Sequence, residues 1–215
     1  PISIRCRQLV AHAIVKKEGA TMLNEPALRP HQSALQTEVR SIIQESSGGP
    51  LADKEIFADI ACGGGKSILP LIAFQELHNA NVVDRLCVVC PKDNLVGQCS
   101  EGFEDPFFRS LLKHNFSMNE ATNAIDPCRG TSGYATTYQA IGADRSGINH
   151  DEFRRRRYLL CLDEFHHVAE GSNWHKQLMP LYEQATFVLF MTGTLERHDG
   201  KKIAFLPYKE ISHAV

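Results

Sequence analysis

The chain has 215 residues, and 23 Lys plus Arg stand against 25 Asp plus Glu, for a formal net charge of −2 at pH 7. That length suits one large α/β domain, or one domain with a small extension, and is enough to bury a sizeable core. The near-neutral balance excludes a global field for nucleic acid, so any such surface must be local; no apolar run reaches the length of a membrane span, so no membrane partner is expected.

No signal-peptide pattern opens the sequence. Residues 1–26 are expected to form a helical extension, because Leu9, Val10, Ala13 and Ile14 recur at helical spacing and Gly19 supplies a stop. Residues 27–215 are expected to form the main domain. Leu28-Arg29-Pro30-His31-Gln32 opens a helix towards Gln44, with Leu35, Val39, Ile42 and Ile43 on its apolar side. Ser46 to Pro50 breaks it into a loop.

Ile56-Phe57-Ala58 reads as a strand and Ile68 to Leu77 as a helix, with Pro70 close enough to the first turn to be tolerated. Between them lies Asp59-Ile60-Ala61-Cys62-Gly63-Gly64-Gly65-Lys66-Ser67. Strand, glycine loop, Gly-Lys-Ser and helix is the layout of a phosphate-binding loop. Glycines let the backbone curl so that successive N–H groups face a polyphosphate. The following helix adds the positive end of its dipole. Lys66 would reach the β- and γ-phosphates, and the Ser67 hydroxyl would bind Mg2+. Ile60 stands where the common pattern has Gly, and a glycine turn that merely joins strand to helix is the alternative for this stretch alone.

Arg85 to Cys90 is a continuous apolar strand ended by Pro91, the pattern of a parallel strand covered on both faces. Cys87 and Cys90 are three apart, so in a strand their thiols face opposite ways and do not converge on zinc. Seven cysteines, several in apolar runs, point to free thiols in a reducing, cytoplasmic compartment. Lys92 to Gln98 is a loop turning into a helix, and Glu101 to Gly130 is expected to hold a short helix and one strand. Tyr134 to Tyr138 is strand-like, and Gln139-Ala140-Ile141 begins a short helix. The run Arg154 to Arg157 reads as a solvated face ahead of the strand Tyr158 to Leu162.

That strand ends in Asp163-Glu164-Phe165-His166-His167. Behind a phosphate loop, Asp163 would hold Mg2+, usually through water, and Glu164 would polarise an attacking water. An acidic helix start is the alternative for the pair alone. A helix follows from Trp174 to Gln184, then a strand from Thr186 to Met191 ending in Thr192-Gly193-Thr194. Strands alternating with helices predict a three-layer parallel sheet with helices on both faces. The polar signatures all follow strands, so Lys66, Asp163 and Thr192 are expected to converge at the carboxyl edge.

With these motifs in place, the sequence from Leu28 to about Pro207 resembles the first RecA-like motor domain of a superfamily-two helicase or translocase of the DExH type. Leu28-Arg29-Pro30-His31-Gln32 is similar to the adenine-recognising motif, which implies nucleotide contacts from Arg29 and, to the base, from Gln32. Cys62-Gly63-Gly64-Gly65-Lys66-Ser67 matches motif I, where the family often lacks the first glycine. Val88 to Gln98 resembles motif Ia, and Thr136-Thr137-Tyr138-Gln139 the motif near Ib. The resemblance implies nucleic-acid contacts, mostly to phosphates, from Lys92, Gln98, Thr137 and Gln139. Asp163-Glu164-Phe165-His166 is the DExH box, and His166 would link the nucleotide site to Thr192 and Thr194. Thr192-Gly193-Thr194 stands where the family has Ser/Thr-Ala-Thr; Gly193 keeps both hydroxyls and is expected to loosen the backbone. The tail Leu195 to Gly200 is similar to type III restriction motor subunits and related repair helicases.

The resemblance implies ATP and Mg2+ as cofactors and a nucleic-acid track, DNA favoured over RNA by analogy. It also implies a second RecA-like domain, in cis beyond Val215 or in trans, to supply arginine fingers. No Gln-x-x-Gly-Arg-x-x-Arg follows Thr194 in this sequence. The chain alone is therefore expected to bind ATP weakly, hydrolyse little and unwind nothing. A nucleotide-dependent switch without motor activity is the competing reading, although the guanine-reading Asn-Lys-x-Asp is absent. A metal hydrolase built on Asp163, His166 and His167 lacks the partner spacing such sites use.

Overall fold

Short runs of aliphatic and aromatic residues, covered on both faces, make the centre of the protein. The computed structural model describes residues 7–10, 27–46, 49–51, 53–61, 63–121, 123, 125–195, 197, 199–206 and 208. The strands are β1 (Arg7–Val10), β2 (Glu55–Asp59), β3 (Arg85–Cys90), β4 (Met118–Glu120), β5 (Gly133–Thr137), β6 (Tyr158–Asp163) and β7 (Phe187–Thr192). The helices are α1 (Pro30–Glu45), α2 (Leu69–Asn79), α3 (Asp93–Glu104), α4 (Pro106–Leu112), α5 (Tyr138–Ala143), α6 (Ile148–Arg155) and α7 (Asn173–Gln184). Among the described residues the strands form one sheet in the order β1-β2-β7-β6-β3-β5-β4, and every pairing is parallel.

Register brings the functional strand ends level. Asp59 pairs with Thr192, Met191 with Asp163, Leu162 with Val89, and Cys90 with Thr137. Alternation along each strand divides the core in two. Leu86, Val88 and Cys90 pack with Leu35, Val39, Ile72, Phe74 and Phe103 on the side of α1, α2 and α3. Cys87 and Val89 pack with Tyr138, Phe153, Leu178 and Leu181 on the side of α5, α6 and α7. Cys87 and Cys90 thus face opposite layers, as their spacing predicts. On the second side the Phe57 and Phe190 rings stack at 4.3 Å and 7°, and Phe165 meets both edge-on at 5.7 and 5.2 Å. Burying each such ring contributes about 1.5–3 kcal/mol, and the trio fixes the root of the Asp163-Glu164 turn.

The three-layer parallel architecture expected from the sequence is what the structure shows. Two local readings change. Arg7–Val10, expected as helix, is an edge strand paired from Arg7↔Ile56 to Val10↔Asp59. Four residues cannot separate a period of 3.6 from one of 2, and the open edge of β2 decides the matter by offering ladder hydrogen bonds. The rest of the expected 1–26 extension lies outside the described residues. Helix α6 is additional: only Asn149 and Phe153 of its eight residues are buried, too short a stripe to read as a period. Among the described residues, no helix is long and apolar enough to cross a membrane.

Candidate nucleotide-binding site

The site begins where β2 runs out. The Ile60 amide donates to the Thr192 carbonyl at 2.8 Å, tying the base of the glycine loop to the end of β7. Gly65 has φ +80°, and a Cβ there would lie 3.0 Å from Gln32 Nε2. A Cβ on Gly64 would sit 2.5 Å from Ile60 Cγ2 and 2.9 Å from the Ala61 carbonyl oxygen. Both positions therefore need glycine, one for conformation as well as space and the other for space. Lys66–Ile68 form a single tight turn that leads directly into α2, with Pro70 in its first turn.

The start of α1 props the loop from outside. The Arg29 guanidinium donates to the Gly63 carbonyl at 3.1 Å. Gln32 Nε2 donates to the Gly65 carbonyl at 3.3 Å, while its Oε1 accepts from the Arg29 amide at 2.9 Å. Gln32 is 6% exposed, and its amide holds the loop. Cys62 lies outside the described residues.

Across the loop stand the acidic pair. The Lys66 ammonium is hydrogen-bonded to Glu164 Oε1 as an ion pair, 98 residues apart in sequence. Glu164 Oε2 accepts from the Gly193 amide at 3.2 Å and lies 3.3 Å from Thr192 Oγ1. Glu164 also has a left-handed backbone, φ +48°, a strain of about 1–3 kcal/mol that persists only where the surroundings impose it. Burial raises the Glu164 carboxyl, but the Lys66 hydrogen bond and charge and the Gly193 amide outweigh it, leaving a net lowering. Asp163 goes the other way. Burial, then the Glu164 charge, push its carboxyl up to about 6 against the pull of Lys66.

Asp163 Oδ1 is buried and has no hydrogen-bond partner. A buried carboxylate oxygen without a donor is costly unless something cationic completes it. Asp163 also lines a cavity of about 410 Å³, together with Gly63, Gly65, Lys66, Ser67 and Glu164. A carboxylate and a hydroxyl are hard oxygen donors of the kind Mg2+ takes, so these residues fit that ion.

His166 Nδ1 lies 2.8 Å from Thr192 Oγ1, which is itself 2.7 Å from the Thr194 carbonyl and 3.1 Å from the Thr194 amide. A hydroxyl carries one proton. The arrangement that satisfies every group has neutral His166 donating from Nδ1 and Thr192 donating to the Thr194 carbonyl. Burial first, then the neighbouring His167, lower the His166 pKa, consistent with a neutral ring. The Gly193 and Thr194 amides are both hydrogen-bonded in this turn, to Glu164 Oε2 and Thr192 Oγ1.

The remaining predicted residues lie at the same edge. Lys92 is exposed just before α3. Gln98 is exposed and also lines the cavity described above. Thr137 is 8% exposed, and its Oγ1 is occupied capping α5 by accepting from the Ala140 amide at 3.1 Å. Gln139 is exposed on α5, and Thr194 is exposed after β7. Three contributors escape sequence reasoning. The Gly193 amide is a backbone donor with no side-chain signature. The Arg197 guanidinium donates to the His166 carbonyl at 2.6 Å while paired twice with Asp199, at 2.9 and 2.6 Å. The buried Tyr138 hydroxyl donates to the Asp163 carbonyl at 2.9 Å.

Comparison with known proteins agrees with this layout. The chain is 26% identical over 157 residues to an uncharacterized protein of Mycobacterium leprae, covering 72% of this chain and 25% of that protein. An uncharacterized protein of Mycobacterium tuberculosis is 24% identical over 172 residues, covering 79% and 27%. The chain thus spans about a quarter of the length of these curated relatives. In fold it is similar to the Sulfolobus solfataricus SWI2/SNF2 ATPase core in complex with dsDNA (TM-score 0.54, 18% identity, 80% of this chain and 34% of that chain). It is also similar to the Pyrococcus furiosus Hef helicase domain (TM-score 0.53, 14% identity, 79% and 33%). Residues 25–197 match the family described as type III restriction enzyme, res subunit, and the chain accordingly belongs to that family of helicase-like ATPase domains, with the RecA-like fold of their motor cores.

Proposed function

We propose that this chain is the ATP-binding first motor domain of a DExH-box helicase or translocase, which couples ATP hydrolysis to movement on, or remodelling of, nucleic acid. The observation that carries the reading is the meeting of Lys66, Glu164 and Asp163, whose buried Oδ1 lacks a hydrogen-bond partner, around one cavity beside the glycine loop. Lys66 binds the β- and γ-phosphates, and the loop amides cradle them. Mg2+ would be held by Ser67 and Asp163, partly through water, and would supply charge neutralisation on the transferred phosphoryl group. Glu164 orients the attacking water and takes up its proton. Arg29 and Gln32 fix the loop and border the nucleotide. His166 passes the state of Glu164 to Thr192 and Thr194.

Lys66 and Glu164 are paired with each other in the structure. The catalytic carboxylate is neutralised by the lysine that ATP must recruit, so triphosphate binding frees Glu164 for the water. Nucleic acid, with DNA favoured, would lie along Lys92, Gln98, Thr137 and Gln139; the dsDNA complex of the SWI2/SNF2 core supports that choice. We place the motor domain at residues 27–215, with 1–26 as an appended segment and a second RecA-like domain, in cis or in trans, supplying the arginine groups. Alone, the chain is expected to turn over ATP slowly, because such groups are worth about 10³–10⁵ in rate.

Lys66→Ala is expected to abolish ATP binding, measured with a fluorescent ATP analogue; unchanged affinity would remove the phosphate-loop assignment. In the full-length protein, Glu164→Gln should keep ATP affinity and lower kcat by about 10²–10⁴. Normal turnover by that variant would mean that another group activates the water.

A further inference from the structure

Tyr138 joins two parts of the edge that the sheet keeps apart. Strands β5 and β6 both pair with β3, one on each side, and do not pair with each other. Tyr138 opens α5 directly after β5, yet its hydroxyl donates to the carbonyl of Asp163 at the end of β6, 2.9 Å away. The side chain therefore reaches past the end of β3. Its position is fixed: the residue is fully buried, and its ring stacks on Trp174 at 5.6 Å and 23°. Burial keeps the phenol protonated, so it remains a donor.

The acceptor is not an arbitrary carbonyl. The peptide group whose C=O belongs to Asp163 is the one whose N–H belongs to Glu164, and it is planar. Rotating that plane tilts both Asp163, whose buried Oδ1 lacks a hydrogen-bond partner, and the left-handed Glu164. On the other side, Tyr138 sits between Thr137, whose hydroxyl caps the same helix, and the exposed Gln139. A shift of the start of α5 moves the phenol with it.

We propose that Tyr138 is a positioning residue that transmits occupancy of the nucleic-acid face at Thr137 and Gln139 to the Asp163-Glu164 peptide. The inference rests on the motor reading above and adds the route by which the track regulates hydrolysis. Coupling of this kind changes a distant site by about 5- to 150-fold.

The test uses Tyr138→Phe in the full-length protein, which keeps the ring and removes the hydroxyl. Tyr134→Phe is the control: Tyr134 is equally buried, on β5, and its hydroxyl donates at 2.8 Å to Asn149 Oδ1, away from the acidic pair. ATP turnover is measured with and without saturating double-stranded DNA or single-stranded RNA, alongside the KM for ATP and the Kd for the nucleic acid. For Tyr138→Phe, KM and Kd are expected to stay within about twofold, while the ratio of stimulated to basal kcat falls by roughly tenfold. Tyr134→Phe is expected to keep the wild-type ratio. An unchanged ratio in Tyr138→Phe, an equal fall in both variants, or a fall in basal and stimulated rates by one common factor overturns the relay. If the wild type binds ATP but neither nucleic acid stimulates it, the motor reading fails and the relay with it. A stimulated wild type with a normally stimulated Tyr138→Phe refutes the relay alone.

Discussion

Replacing Asp163 with Asn should stabilise the metal-free fold while removing the proposed Mg2+ ligand. The Asp163 carboxyl is pushed from its ordinary 3.8 up to about 6, chiefly by burial and then by the Glu164 charge. A group whose folded pKa is raised binds its proton more tightly when folded. Its contribution to stability is therefore full below pH 3.8 and is lost as pH rises through about 6. Roughly two pH units correspond to about 3 kcal/mol of penalty at pH 8. The penalty falls to about half that at pH 5, and below about 1 kcal/mol near pH 4. Asn has nearly the same shape and no charge, so Asp163→Asn should gain that amount at pH 8, or about 6–12 °C in Tm for a domain of this size. The assay is thermal and urea unfolding of both proteins in a metal chelator at pH 8 and pH 5. Adding Mg2+ and ATP should then raise the wild type alone and narrow the gap. Equal stability at pH 8 in chelator, or a gap that does not shrink at pH 5, would refute the claim that Asp163 is held desolvated for a cation.

Two further tests address the loop and the core. Gly65→Ala forces a side chain onto φ +80° and against Gln32 Nε2 at 3.0 Å, so urea unfolding should show a loss of about 1–2 kcal/mol, together with weaker ATP binding. Gly102→Ala, in α3 with open space around the new methyl, should instead gain about 0.5–1 kcal/mol. The thiols of Cys87, Cys90 and Cys161 are pushed up by burial, and that of Cys99 to about 12. At pH 8 an alkylating reagent followed by mass spectrometry should leave these four unmodified until urea is added; rapid native labelling of Cys99 would contradict its burial.

The parts legible from sequence were those whose signal is local. The strands at Arg85–Cys90, Tyr158–Asp163 and Phe187–Thr192 are unbroken apolar runs, because a strand between two helical layers has no polar face to show. The convergence of the glycine loop and the Asp163-Glu164 pair was legible because both directly follow strands of one parallel sheet. Arg7–Val10 misled because its strand character comes from the free edge of β2, a partner more than forty positions away. Thr137 shows a subtler limit. Its hydroxyl oxygen accepts from the Ala140 amide and so caps α5, a second role for a residue read as a phosphate contact that composition alone does not reveal. The hydrogen bonds of Tyr138 and Arg197 to main-chain carbonyls leave no pattern to read, since any residue offers that acceptor.

Of the strands described, β7 is the last to leave the ribosome, yet it lies between β2, which carries the glycine loop, and β6, which carries the acidic pair. Until Phe187–Thr192 has been synthesised, those two strands have no common neighbour, and each presents an apolar, unpaired border. A nascent chain stopped short of Phe187 is thus exposed to aggregation as well as unable to assemble the proposed nucleotide pocket. Completion of translation through Thr192 is what turns two half-sites into one.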